Sequence, residues 1–83
     1  MSNTDQDQIR AEVLRVASAV LGRSPGAEGF DRASEPSWDS LKHVELLFSM
    51  EDELGVRFDE EELAGLSSTD ALVDSIARHR GAP

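Results

Sequence analysis

No cysteine occurs among the 83 residues. That excludes a disulfide framework, a thiolate metal site and a cysteine nucleophile, and leaves the redox compartment open. No apolar run approaches the roughly 20 residues needed to cross a bilayer. The opening "MSNTDQDQIR" is polar and lacks the basic-then-apolar layout of a secretory signal, so the expectation is a cytoplasmic protein. Basic residues are scarce: Lys and Arg together number 8 against 17 Asp and Glu, for a net charge of -9. Nucleic acid and anionic membrane both bind through clusters of cations that release counterions, and no such cluster is visible, so neither is expected as a partner. Strand-type alternation, internal repeats and low-complexity tracts are missing too. A chain of this length has room for one domain, 1–83 with an ordered core at about 5–80, expected to be monomeric and to rest on one compact core.

The acidity is unevenly spread. Residues 1–38 carry six acids and four bases, and residues 39–83 carry eleven and four. A basic protein surface would be attracted to the second half and steered onto it; the same acids also serve to keep a small domain soluble.

Apolar spacing divides the chain into helices. From about Asp5 to Leu21 the residues Ile9, Val13, Val16, Ala17, Val20 and Leu21 recur at helical intervals. Asp5 and Asp7 suit the positive end of that helix and Gly22 its stop. The stretch "GRSPGAEGFDRASEPSW", from Gly22 to Trp38, has three glycines, two prolines and no period. It reads as a long loop tacked to the core by Phe30 and Trp38. A second helix is expected from about Ser40 to Leu54, ending at Gly55, then a short helical turn around Glu60 to Leu63. A last helix should run from Thr69 to about Arg80, capped by Ser68 and buried along Leu72, Val73, Ile76 and Ala77. The fold class is all-α, a bundle of three main helices and one short one.

At about 100° per residue, the second helix has two apolar stripes. Leu46, Leu47, Met50 and Leu54 form one; Leu41, Val44 and Phe48 form the other, which also contains Ser40 and Glu51 and is flanked by Glu45 and Asp52. A face holding a serine and a carboxylate is a poor core because an unpaired buried carboxylate is costly. The first stripe is therefore expected to point inward and the second outward, where apolar groups rimmed by acids mark a docking site. His43 falls among the inward residues and reads as a core-edge histidine. Asp39 or Ser40 could each cap the helix. A hydrolase built on Ser40 and His43 is disfavoured, since three residues along one helix do not aim an imidazole at a hydroxyl and no oxyanion hole is suggested. The acidic run at 59–62 lacks the alternating ligands and turn glycine of a calcium loop, and reads as a solvated turn.

The segment "WDSLKHVELLFSMEDELGV" resembles the modification segment of acyl carrier proteins. The turn "FDEEEL" and the last helix "SSTDALVDSI" are similar to the family's matching segments, so the likeness covers about residues 5–80. The resemblance implies a four-helix carrier bundle in which Ser40 takes a covalent 4'-phosphopantetheine arm that holds an acyl or aminoacyl group as a thioester. It implies that Asp39 serves the phosphopantetheinyl transferase by helping to hold the metal-bound diphosphate of coenzyme A. It further implies that Leu41, Val44, Glu45, Phe48, Glu51 and Asp52 dock basic surfaces of the transferase, the loading enzyme and downstream pathway enzymes. Lys42 and His43 after the D-S-L motif, and "EPSW" before it, depart from the pattern of housekeeping fatty-acid carriers. They favour a dedicated route such as polyketide or nonribosomal peptide assembly. An unmodified helical adaptor that binds a basic partner through the second helix is the competing expectation.

Overall fold

The computed structural model describes residues 2–26 and 29–81, with the side chains of 6–26 and 29–80. Three α-helices, α1 (Ser2–Leu21), α2 (Ser40–Leu54) and α3 (Thr69–Gly81), carry the architecture, and α1 packs against both others. Among the described residues there is no strand beyond two isolated bridges, Gly26 with Gly29 and Asp31 with Ser68. The all-α expectation holds, and the bounds of α2 are those predicted. α1 begins three residues earlier than Asp5, whose side chain lies outside the described residues.

The helix stops are local. Gly22 and Gly55 take positive φ, 69° and 67°, a conformation that costs a residue with a Cβ. Their amides reach back to the Ser18 and Glu51 carbonyls at 2.8 and 3.0 Å, closing each last turn. Ile9, Val13, Val16, Ala17 and Leu21 of α1 meet Leu46, Leu47, Met50 and Leu54 of α2 and Leu72, Val73 and Ile76 of α3 in one buried core, with Val20 and Ala77 at its margin.

The connections differ from the sequence reading in two ways. The long loop contains a 3-10 turn, Arg32–Ser34, started by the Asp31 carboxylate accepting from the Ala33 amide at 3.0 Å. The acidic turn is a 3-10 segment running to Gly65 rather than stopping at Leu63. Phe30 and Trp38 are buried as expected, and each buried aromatic contributes about 2–3 kcal/mol by leaving water. The loop has a polar latch as well. The Phe30 amide donates to Thr69 Oγ1, the Thr69 amide donates to the Phe30 carbonyl, and the Arg32 amide donates to the Ser67 carbonyl, each at 2.8 Å. This latch holds the start of α3 against the loop and brings Arg32 to the beginning of α2.

Candidate functional site

The chain enters α2 through a turn. The Trp38 amide donates to the Glu35 carbonyl at 3.0 Å, with Pro36 at the second turn position, where its fixed φ is an advantage. The Ser37 hydroxyl and amide both donate to the Glu35 carboxylate and hold it below its ordinary range, with a smaller contribution from Arg23. Trp38 then buries its ring, and its indole N–H donates to His43 Nδ1 at 3.0 Å. An indole can only donate, so Nδ1 is the accepting nitrogen and Nε2 carries the proton to the Leu63 carbonyl, 3.0 Å away. His43 is thus a buried link from the loop through α2 to the second 3-10 turn.

Asp39 caps α2. Its Oδ1 accepts from the Lys42 amide at 2.9 Å, and its carbonyl takes the His43 amide at 2.8 Å. This resolves which of the two candidate residues is the cap. Ser40 becomes the first helical residue, exposed, with its hydroxyl not used to close the helix. The Arg32 guanidinium reaches it from the loop: Nη2 lies 3.4 Å from Ser40 Oγ, and Nε donates to the Trp38 carbonyl at 3.3 Å.

Beyond Ser40 the outer stripe is open. Leu41, Val44 and Phe48 are 74%, 51% and 67% exposed, far more than apolar groups left at a core margin. Glu45 and Asp52 are exposed beside them, and Lys42 pairs with Glu45 at 3.4 Å. Glu51, read from the sequence as a docking acid, is half-buried and accepts the Phe58 amide at 2.9 Å. It ties the chain after α2 back onto the helix. Spacing alone could not show this: Glu51 lies at the edge of the stripe nearer the core and Asp52 at the opposite edge beside Glu45, and only the path of the chain after Gly55 shows that the Glu51 carboxylate is taken by the Phe58 amide.

The acidic run at 59–62 is not uniformly solvated, which corrects the sequence reading. Glu60 and Glu61 are exposed. Glu62 instead accepts from the Asp59 amide and from His79 Nε2, both at 2.8 Å, and from Ser75 Oγ at 2.9 Å. Those bonds, the Asp59 amide foremost, depress its pKa to about 2 against the opposing effect of burial. Asp59, Glu62 and His79 bring one ligand-type atom each within 4.8 Å of one another, but the contact between Glu62 and His79 is a bond between the two would-be ligands.

A comparison with curated proteins finds an acyl carrier protein of Rhodococcus erythropolis that is 32% identical over 75 residues. The match covers 88% of this chain and 82% of that protein. The chain belongs to the acyl carrier protein family. It is a carrier protein and not an enzyme. Both ring nitrogens of His43 are engaged inside the bundle while Ser40 faces outward, so His43 is not aimed at the hydroxyl. No family model matches the chain, and no solved structure matches it. No described helix is long and apolar enough to cross a membrane. Arg32 is the residue near this site that the sequence reading missed. Its only local signal is an aspartate that starts a short turn, and nothing in the intervening residues announces that the turn folds back onto Ser40.

Proposed function

We propose that this carrier attaches a 4'-phosphopantetheine arm through Ser40 and presents acyl or aminoacyl groups to the enzymes of a dedicated biosynthetic pathway, of the polyketide or nonribosomal peptide kind, in the cytoplasm. The observation that carries the reading is an exposed hydroxyl at the first turn of α2, spared from capping by Asp39 and followed by exposed Leu41, Val44 and Phe48. The residues fit a phosphodiester there, since the oxygen is open to solvent and a guanidinium lies within 3.4 Å of it. When attached, the arm supplies a thiol on which cargo rides as a thioester.

In the attachment step the Ser40 oxygen forms a bond to the phosphorus that bears pantetheine in coenzyme A. The bridging P–O bond breaks, adenosine 3',5'-bisphosphate leaves with its electron pair, and the serine proton passes to a base of the transferase. Asp39 keeps one carboxylate oxygen on the Lys42 amide. The other has no partner among the described residues and is available to a cation held by the incoming diphosphate. Leu41, Val44 and Phe48 dock apolar groups of partner enzymes, with Glu45 and Asp52 at the rim for Arg and Lys. Glu51 contributes by holding the helix face in place. The dedicated pathway rests on the departures "EPSW" and Lys42-His43, and the whole chain acts as one monomeric carrier domain.

Coenzyme A and a broad-specificity phosphopantetheinyl transferase provide the test, read by intact mass. The wild-type chain is expected to gain one arm and Ser40→Ala none. A folded wild-type chain that gains nothing would leave the helical adaptor as the better reading.

A further inference from the structure

We propose that Arg32 is a positioning residue for the phosphodiester at Ser40, a cation held by the loop to receive the negative charge that attachment creates. The inference rests on the reading of Ser40 as the attachment point and adds a residue to it. In so acidic a chain a cation should readily find a carboxylate, and most do. Among the described residues Arg10, Arg15, Arg23, Lys42, Arg78 and Arg80 each pair with an Asp or Glu. Among the described residues Arg32 is in no ion pair, and neither is the exposed Arg57, which lies beyond α2. The Arg32 guanidinium is spent on two neutral oxygens, the Trp38 carbonyl and Ser40 Oγ.

The placement is constrained from both ends. The Arg32 amide is fixed to the Ser67 carbonyl at 2.8 Å, in the latch between loop and α3, and Nε is fixed to Trp38, whose ring is buried. The fork therefore stands over the hydroxyl before any anion arrives, so little side-chain freedom is lost when one does. A contact of 3.4 Å to a hydroxyl is long for a hydrogen bond. Once Oγ becomes an ester oxygen, the anionic phosphoryl oxygens next to it are the stronger acceptors, and a guanidinium turns to them in a charge-assisted bond. The nearby Asp39 carboxylate is occupied on one side by the Lys42 amide, and Lys42 is turned to Glu45. Arg32 is thus the described cation in contact with Ser40.

A four-way thermal comparison tests this with the full chain: wild type and Arg32→Gln, each before and after phosphopantetheinylation, with intact mass confirming the state of each sample. At low salt, attachment should raise the wild-type midpoint by about 2–4 °C relative to its effect in Arg32→Gln, as a partly exposed charge pair in a domain this size would. Arg32→Lys should recover part of that difference. The wild-type increment should shrink toward zero at high salt, and the 31P resonance of the attached arm should shift between wild type and Arg32→Gln. If Arg32→Gln does not fold, the salt dependence of the wild-type increment and the Arg32→Lys comparison decide the matter. Complete attachment with an increment and a 31P resonance that ignore residue 32 and salt would overturn the role of Arg32 while leaving Ser40 as the site. No attachment at all would overturn the site itself.

Discussion

Glu62 shows how much one carboxylate can join when several donors converge on it. It takes an amide of its own turn, a hydroxyl of α3 and the imidazole of His79, so it couples the second 3-10 turn to α3. Its pKa falls from 4.5 to about 2. A depressed folded value means stability that is fully present above pH 4.5 and is lost as the pH falls toward 2. At about 1.4 kcal/mol per tenfold change in proton affinity, the full effect would be roughly 3 kcal/mol. Water reaching a side chain that is still 19% exposed reduces the expectation to about 2 kcal/mol. Urea unfolding between pH 6 and pH 2.5, where most but not all of the effect is gone, should show wild type losing about 1.5 kcal/mol more stability than Glu62→Gln; parallel pH profiles would show that the carboxylate is not held as described. Ser75, fully buried in α3, is the polar residue whose place is explained by this bond.

At the scale of elements, the long loop is what makes the start of α2 usable. Its aromatic anchors set where the loop lies, and its polar latch sets how closely it approaches α3. Gly29 sits at the tightest point, with φ 86°. A Cβ there would stand 2.6 Å from Thr69 Oγ1 and 2.8 Å from Thr69 Cβ. Gly29→Ala therefore combines an unfavourable backbone conformation with a clash against the residue that receives the Phe30 amide. A cost of about 2–4 kcal/mol is expected, measurable by denaturant unfolding, together with faster hydrogen exchange at the Phe30 and Thr69 amides. A variant within about 0.5 kcal/mol of wild type would mean the loop can shift without loss. Because the latch also carries Arg32, the same substitution should weaken the contact between guanidinium and Ser40.

At the scale of the whole molecule, the net charge of -9 sets how partners arrive. Most cations are paired with acids, so the uncompensated charge is negative and is concentrated from residue 39 onward. Modification by a transferase with a basic docking surface should slow as ionic strength rises, because exposed charges are screened beyond about 10 Å at 0.1 M salt. Reversal of Asp52, exposed and free of ion pairs among the described residues, should lower kcat/KM about two- to fivefold at low salt. Reversal of Glu45 should do the same and also place a like charge beside Lys42, three residues back on the helix. A rate indifferent to salt and to both reversals would remove electrostatics from docking and leave Leu41, Val44 and Phe48 to account for it alone.

How much was legible in the chain follows from the range of each interaction. The three helices, the glycine stops of the first two, the inward Leu46-Leu47-Met50-Leu54 stripe and the outward Leu41-Val44-Phe48 stripe were determined by sequence alone. Turn periodicity and caps act over a few neighbouring residues, and one apolar face must be buried whatever covers it. Tertiary structure decided the rest. It turned Glu51 to the Phe58 amide, closed Glu62 on α3, engaged both nitrogens of His43 and set Arg32 over the hydroxyl. Each of these is a polar group meeting between one and three particular partners. Where the partner lies in another element, no local pattern encodes the distance, and only the packed core brings the two within reach.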